Sequence, residues 1–175
     1  ELRRRGLPLP PLLASSLRSA MQALRWPNSS ARPGVNADEY LVLASRRSAS
    51  ECGTRHPHYP LRLLCEQLVS WYRVAADDRA FEYNAIAATR NFVGSPHVDR
   101  FDQQPQLAVS LGEFEGGELC VEAEHDHTMI EVVDTKERIA KVDGRRVHWV
   151  RAYRGGERFS LIFYNTATPT PVPIG

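Results

Sequence analysis

Apolar side chains recur at helical spacing near the start of the chain. Leu13, Leu17, Met21 and Leu24 lie on one stripe, Pro10 and Pro11 stand at its head and Pro27 follows its end, which predicts a helix over Pro10–Trp26. A second stripe of Leu61, Leu64, Cys65, Leu68 and Trp71 or Tyr72 predicts a helix over Leu61–Val74. Between them, Asn28–Asn36 is rich in Ser, Pro and Gly and reads as a loop, Tyr40–Ala44 as a short strand, and Cys52–Pro60 as another loop. From Phe81 the pattern shortens to strands: Phe81–Phe92, Gln106–Leu111, Glu118–Val121, Met129–Val133, Arg138–Val142, His148–Tyr153 and Phe159–Tyr164. Breaks fall at Gly94-Ser95-Pro96, Gly116-Gly117, Asp143-Gly144 and Gly155-Gly156, and Asp143-Gly144 reads as a hairpin turn.

Helices first and short glycine-punctuated strands afterwards make an α+β protein whose strands form a barrel or sandwich. At 175 residues, 42% apolar and 25% charged, the chain is expected to be one globular domain, residues 1–80 supplying helices and loops that pack on a strand-rich core of residues 81–175. No apolar run approaches the ~18 residues needed to cross a bilayer. The basic start followed by Leu7–Leu13 has the outline of a signal peptide, but Pro8, Pro10 and Pro11 interrupt its apolar part, so it is not read as one. The chain opens on Glu1 rather than Met and is expected to be a trimmed or excised domain. A net charge of +1 provides no strong field for nucleic acid, although Lys136 and Lys141 are the only lysines among 22 basic residues. Arginine forks suit phosphate and carboxylate, but a GC-rich genome explains the same bias. Cys52, Cys65 and Cys120 form neither a Cys-x-x-Cys pair nor an even framework, so an intracellular, reducing compartment is expected, with Cys120 a small buried apolar residue.

The chemistry concentrates in His97-Val98-Asp99, the distant His148, and Arg158 ten residues later at the head of an apolar strand. In an extended segment, residues two apart share a side, so His97 and Asp99 can grip one ion. A distal His completes a two-His-one-carboxylate face with open positions opposite, the arrangement of non-haem Fe(II) oxygenases. Arg158 and Ser160 share one strand face with Ile162 and Tyr164. A buried arginine there would require an anion. Phe159, Leu161 and Phe163 make the other face equally apolar, so alternation alone does not say which face is inside.

From about Phe81 to Asn165 these motifs resemble the Fe(II)/2-oxoglutarate-dependent dioxygenases. The resemblance implies a double-stranded β-helix, a jelly-roll barrel buttressed by N-terminal helices. It implies that His97, Asp99 and His148 hold Fe(II), that Arg158, helped by Ser160, takes the far carboxylate of 2-oxoglutarate, and that O2 completes the chemistry. Gly116-Gly117 would be the tight approach to a strand crossing near the metal. Within the superfamily, the TET/JBP group oxidises the methyl group of 5-methylpyrimidine bases. Its acidic residue three past the ligand Asp and its aromatic six past the co-substrate Arg fall at Asp102 and Tyr164; the group's next histidine is Thr166 here. The second Arg of AlkB-like demethylases is replaced by Tyr164, and prolyl 4-hydroxylases usually carry Lys where Arg158 stands.

The substrate stays open at this stage: a nucleic-acid base, a peptide or a small molecule. A non-catalytic metal-binding barrel is a further alternative, which the intact triad and Arg158 argue against. His125-Asp126-His127 with Glu131 offers a cupin-like site on the same kind of barrel, without the proline a cupin carries before its last His. His56-Pro57-His58, in a proline-rich loop, reads as structural or solvated. Oligomeric state is not legible.

Overall fold

Two helices and twelve strands organise the computed structural model, which describes residues 1–27, 37–44 and 56–167. In chain order they are β1 (Leu2–Arg5), β2 (Leu7–Pro8), α1 (Pro11–Gln22), β3 (Glu39–Ala44), α2 (Tyr59–Ala75), β4 (Ala85–Arg90), β5 (Gln106–Leu111), β6 (Phe114–Gly116), β7 (Leu119–Glu122), β8 (Ile130–Asp134), β9 (Arg138–Val142), β10 (His148–Val150), β11 (Tyr153–Gly155) and β12 (Phe159–Tyr164). A six-stranded sheet runs β2-β9-β5-β12-β4-β3, a four-stranded sheet β1-β8-β7-β10, and β6 pairs with β11.

Strand alternation divides the core in two. Leu107, Val109 and Leu111 of β5 join Phe159, Leu161 and Phe163 of β12 under the helices, against Leu17 and Met21 of α1 and Leu61, Cys65 and Leu68 of α2. The opposite face of the same strands meets the four-stranded sheet: Ala108, Ala140 and Val142 pack on Leu119, Val121 and Val133, with Val150 and Ile162 alongside. Both faces of β12 are therefore covered, which is why its sequence reads as a continuous apolar run. Arg158, Ser160, Ile162 and Tyr164 belong to the face turned toward the second sheet.

The six-stranded sheet also explains where the sequence pattern misled. Helix α1 stops at Gln22 rather than Trp26; Ala23 and Leu24 turn their N–H groups back to Ser19 and Met21, and Leu24 and Trp26 pack on the core from outside the helix. Ladder pairing of the Phe81–Phe92 stretch is confined to Ala85–Arg90 and ends at Asn91, whose φ of 53° leaves the extended region. Asp143-Gly144 is not a hairpin turn: β9 before it belongs to one sheet and β10 after it to the other. The His148–Tyr153 stretch breaks into β10 and β11, which pair with different partners.

Strands β1 and β2 were not foreseen. Every residue of β1 is exposed, so no apolar alternation marks it; it lies parallel to β8, with Arg4 paired to Glu131 at 3.0 Å and Arg5 to Asp134 at 3.1 Å. Cys65 and Cys120 are free and buried, while the Asn28–Asn36 loop and residues 52–55 of the Cys52–Pro60 loop, Cys52 among them, lie outside the described residues. His56 and His58 stack edge to face at the start of α2, in a structural position. Among the described residues no helix is long and apolar enough to cross a membrane.

Candidate metal and co-substrate site

A pair of backbone hydrogen bonds brings the first ligands together. His97 N–H donates to the His148 carbonyl at 3.1 Å and His148 N–H donates to the His97 carbonyl at 3.0 Å, an isolated antiparallel bridge. Asp99 N–H then donates to the Gly144 carbonyl at 2.8 Å. The His-x-Asp segment, which belongs to no sheet, is thus clipped onto the start of β10. Potential ligand atoms of His97, Asp99 and His148 all lie within 4.8 Å of one another, and among the described residues no other three His, Cys, Asp or Glu side chains converge so closely.

The imidazoles are set in the orientation a metal needs. His97 Nδ1 lies 2.8 Å from the Ser95 carbonyl and His148 Nδ1 lies 2.9 Å from the Arg146 carbonyl. A carbonyl only accepts, so each Nδ1 carries a proton and, in the neutral imidazole a metal binds, each Nε2 keeps the lone pair. Both Nε2 atoms face Asp99: His97 toward Oδ1 at 3.9 Å and His148 toward Oδ2 at 3.4 Å. Burial pulls the His148 pKa down, but Asp99 and the Arg146 carbonyl outweigh it, and the net shift is upward. Two nitrogens and a carboxylate oxygen on one side form a donor set suited to Fe(II).

Arg158 is the other unusual group. It is only 3% exposed, and among the described residues no carboxylate pairs with it. Its Nη2 donates to the Gly117 carbonyl at 3.0 Å, while Nε and Nη1 are buried without a partner. The guanidinium lies 5.4 Å from the ring centre of Phe114 and 5.6 Å from that of Tyr153. These π faces offset part of the desolvation, yet burial still pulls the pKa down to about 10. A cation held this way is a receptor for an anion. Beside it, the Ser160 and Thr89 hydroxyls are hydrogen-bonded to each other in the buried interior. Such a pair uses one of its two O–H hydrogens and keeps one for a ligand. Gly117 (φ +72°) belongs to this pocket rather than to the metal: a Cβ there would sit 2.9 Å from Arg158 Nε.

Neither a family model nor a curated protein matches the chain. Solved structures do. A Burkholderia pseudomallei oxidoreductase of the 2OG-Fe(II) oxygenase family aligns over 94% of this chain and 93% of its own, with a TM-score of 0.56 and 18% identity. NgTET1 in complex with 5mC DNA aligns over 92% of this chain and 71% of its own, with a TM-score of 0.54 and 16% identity. A Pseudomonas putida prolyl-4-hydroxylase aligns over 90% and 88%, with a TM-score of 0.51 and 13% identity. The fold is that of the 2-oxoglutarate/Fe(II) oxygenases.

On this oxygenase fold the competing histidines do not assemble a site. His125 and His127 are exposed in the turn between β7 and β8; the His127 side chain is 80% exposed and meets Glu122 at 3.1 Å. Asp102 and Tyr164, by contrast, lie toward the C-terminal end of β12. Asp102 bridges Thr166 just past β12, and Asp102 N–H donates to the Asp99 carbonyl at 3.3 Å. Phe114, Tyr153 and Gln106 were missed in the sequence. The first two face Arg158 only because β6 pairs with β11, and Gln106 reads as one more polar residue at a strand start.

Burial pushes Asp102 up to about 7, with Asp99 adding to the effect and His148 and Arg145 opposing it; its Oδ2 is buried and unpaired. The native state therefore holds a proton that an unfolded Asp releases near pH ~4. Metal-free stability is expected to fall as pH rises from about 4 to about 7, because over that window the native state binds more protons. Asp102→Asn should flatten this dependence. Thermal midpoints recorded against pH for both proteins check it, and parallel curves would refute it.

Proposed function

We propose that the chain is an Fe(II)- and 2-oxoglutarate-dependent dioxygenase that hydroxylates or oxidises a C–H bond on a double-stranded β-helix core. The observation that carries this reading is Arg158. Three convergent ligands suit many metals, but a buried, unpaired guanidinium on the inner face of β12 calls for a carboxylate inside the barrel. His97, Asp99 and His148 would hold the iron through Nε2, Nε2 and a carboxylate oxygen. Arg158 would take the far carboxylate of 2-oxoglutarate, and the Ser160–Thr89 pair would donate its spare hydrogen beside it. With O2, the bound iron and 2-oxoglutarate supply an oxidant for unactivated C–H bonds, the co-substrate leaving as succinate and CO2. The chain's own part is to anchor the dicarboxylate, keep water from the apolar barrel and aim the substrate. Free, buried Cys65 and Cys120 support a reducing intracellular compartment.

For the substrate, the methyl group of a nucleic-acid base is favoured by one observation. The buried, unpaired Oδ2 of Asp102 lies beside the metal triad, where the polar edge of a base would meet it. Tyr164, at the same end, would provide a stacking face. The structural likeness to NgTET1 in complex with 5mC DNA supports this reading, and the comparable likeness to a prolyl-4-hydroxylase keeps a peptide or small-molecule substrate as the alternative.

Replacing His97 or His148 by Ala should abolish Fe(II) binding and succinate formation while the fold is retained by circular dichroism; full metal affinity in either variant would refute the triad. Arg158→Ala should raise the 2-oxoglutarate requirement roughly tenfold to hundredfold, the worth of a charge-assisted contact of about 1.5–3 kcal/mol. Arg158→Lys should recover only part of it, since the planar fork is lost; unchanged dependence in the Ala variant would remove Arg158 from this role. On a single-stranded oligonucleotide containing 5-methylcytosine, Tyr164→Ala should lower kcat/KM by roughly tenfold to hundredfold through lost stacking of about 1–3 kcal/mol. Oxidation of a peptide with none of the oligonucleotide would sink the base reading and leave the oxygenase standing.

A further inference from the structure

Resting on the metal-centre reading above, we propose that Gln106 is the positioning residue for Asp99. Its side chain would donate a hydrogen bond to Asp99 Oδ2, leaving Oδ1, on the His97 side, for the metal.

Gln106 opens β5 at its metal end. Register places it opposite Val142 of β9, and alternation turns it, like Ala108, toward the space between the two sheets. It is 3% exposed, and among the described residues no hydrogen bond ties its carboxamide elsewhere.

Gly144 supplies the geometry. A Cβ built on it would stand 2.7 Å from Gln106 Nε2 and 3.0 Å from Asp99 Oδ2, so both atoms flank the same small space, kept open by the absence of a side chain. A single metal–oxygen bond from Asp99 leaves its second oxygen in need of a donor, and carboxylate ligands are ordinarily hydrogen-bonded in this way. The alternatives nearby are committed. Both histidine Nδ1 atoms face carbonyls. Arg145 is engaged with both carboxylate oxygens of Asp143, at 2.8 and 2.9 Å. Arg146 pairs with Glu124 at 3.0 Å. Beside them, the Gln106 amide is a neutral donor that flanks the same space as Asp99 Oδ2.

The test uses the full chain with Co(II) as a spectroscopic metal and no co-substrate. Gln106→Met keeps the length of the side chain and removes the donor. It should weaken Co(II) affinity about tenfold to hundredfold, the usual effect of deleting a ligand's hydrogen-bond partner. It should also alter the visible absorption bands of the bound metal, because Asp99 is no longer held in one pose, while the metal-free unfolding midpoint stays close to that of the parent. Gln106→Leu serves if the Met variant fails to fold. Unchanged affinity and spectrum would overturn the proposal. So would a loss of affinity matched by a large drop in metal-free stability, which marks a packing role. His148→Ala runs in parallel: if it binds Co(II) like the parent, the metal centre itself is misassigned, an outcome distinct from failure of Gln106 alone.

Discussion

Two reciprocal backbone hydrogen bonds between His97 and His148 carry the organisation of the site. The two residues are 51 positions apart in the chain, and the His-x-Asp segment has no place in either sheet. Without that bridge, His97 and Asp99 would sit on a solvated loop and the third ligand would stand alone on β10. With it, backbone pairing rather than side-chain contact sets the ligand spacing. The clip is extended by Asp99 N–H on the Gly144 carbonyl, and β10 is itself fixed by pairing with β7, where His148 lies opposite Val121. The metal centre is therefore built at the place where the chain crosses from one sheet to the other, and Gly144 is the residue that lets the crossing pass close to Asp99.

Arg158 imposes the second constraint, and it is an energetic one. An isolated buried cation costs several kcal/mol in the folded protein. Here the cost is reduced by one carbonyl and two aromatic faces, none of which neutralises the charge. Replacing the charge by an apolar residue is expected to give a more stable fold. On the proposed reading, the charge is kept for the carboxylate it binds. The surroundings are shaped around it: Gly116 and Gly117, both at positive φ, let the backbone present a carbonyl to the guanidinium at close range.

The candidate residues His97, Asp99, His148 and Arg158 could be picked out in the sequence because their signals are local: a His-x-Asp pair, one later His, and an Arg at a strand head. β5, β9 and β12 were legible for a related reason, since each is an apolar run bounded by polar or glycine residues. What was not legible depends on pairing. β1 has no apolar face, and its position rests on arginine–carboxylate contacts with β8 and on backbone pairing. Asp143-Gly144 has the composition of a hairpin turn, and only the sheet assignment of β10 shows otherwise. Gln106, Phe114 and Tyr153 acquire roles through neighbours that register alone brings together. The orientation of β12 is the clearest case. Its two faces are equally apolar, and the side carrying Arg158 turns inward because α1 and α2 already cover the side carrying Phe159, Leu161 and Phe163.

Burial deepens along the site, and that gradient orders its chemistry. His97 is exposed, Asp99 half-buried, His148 buried, and Arg158 among the most enclosed polar groups of the barrel. At about 3.3 Å per residue, Arg158 and Tyr164 stand roughly 20 Å apart along β12, with the metal ligands toward the Tyr164 end. On the proposed reading, the dicarboxylate must pass the triad to reach its arginine, so it enters first and the substrate closes the path behind it. The residues at the open end, Asp102 and Tyr164, are then free to differ with the substrate without disturbing the anchor below. On that reading, one reaction centre can serve different substrates within a fold shared by proteins that have fewer than one residue in five in common with this chain.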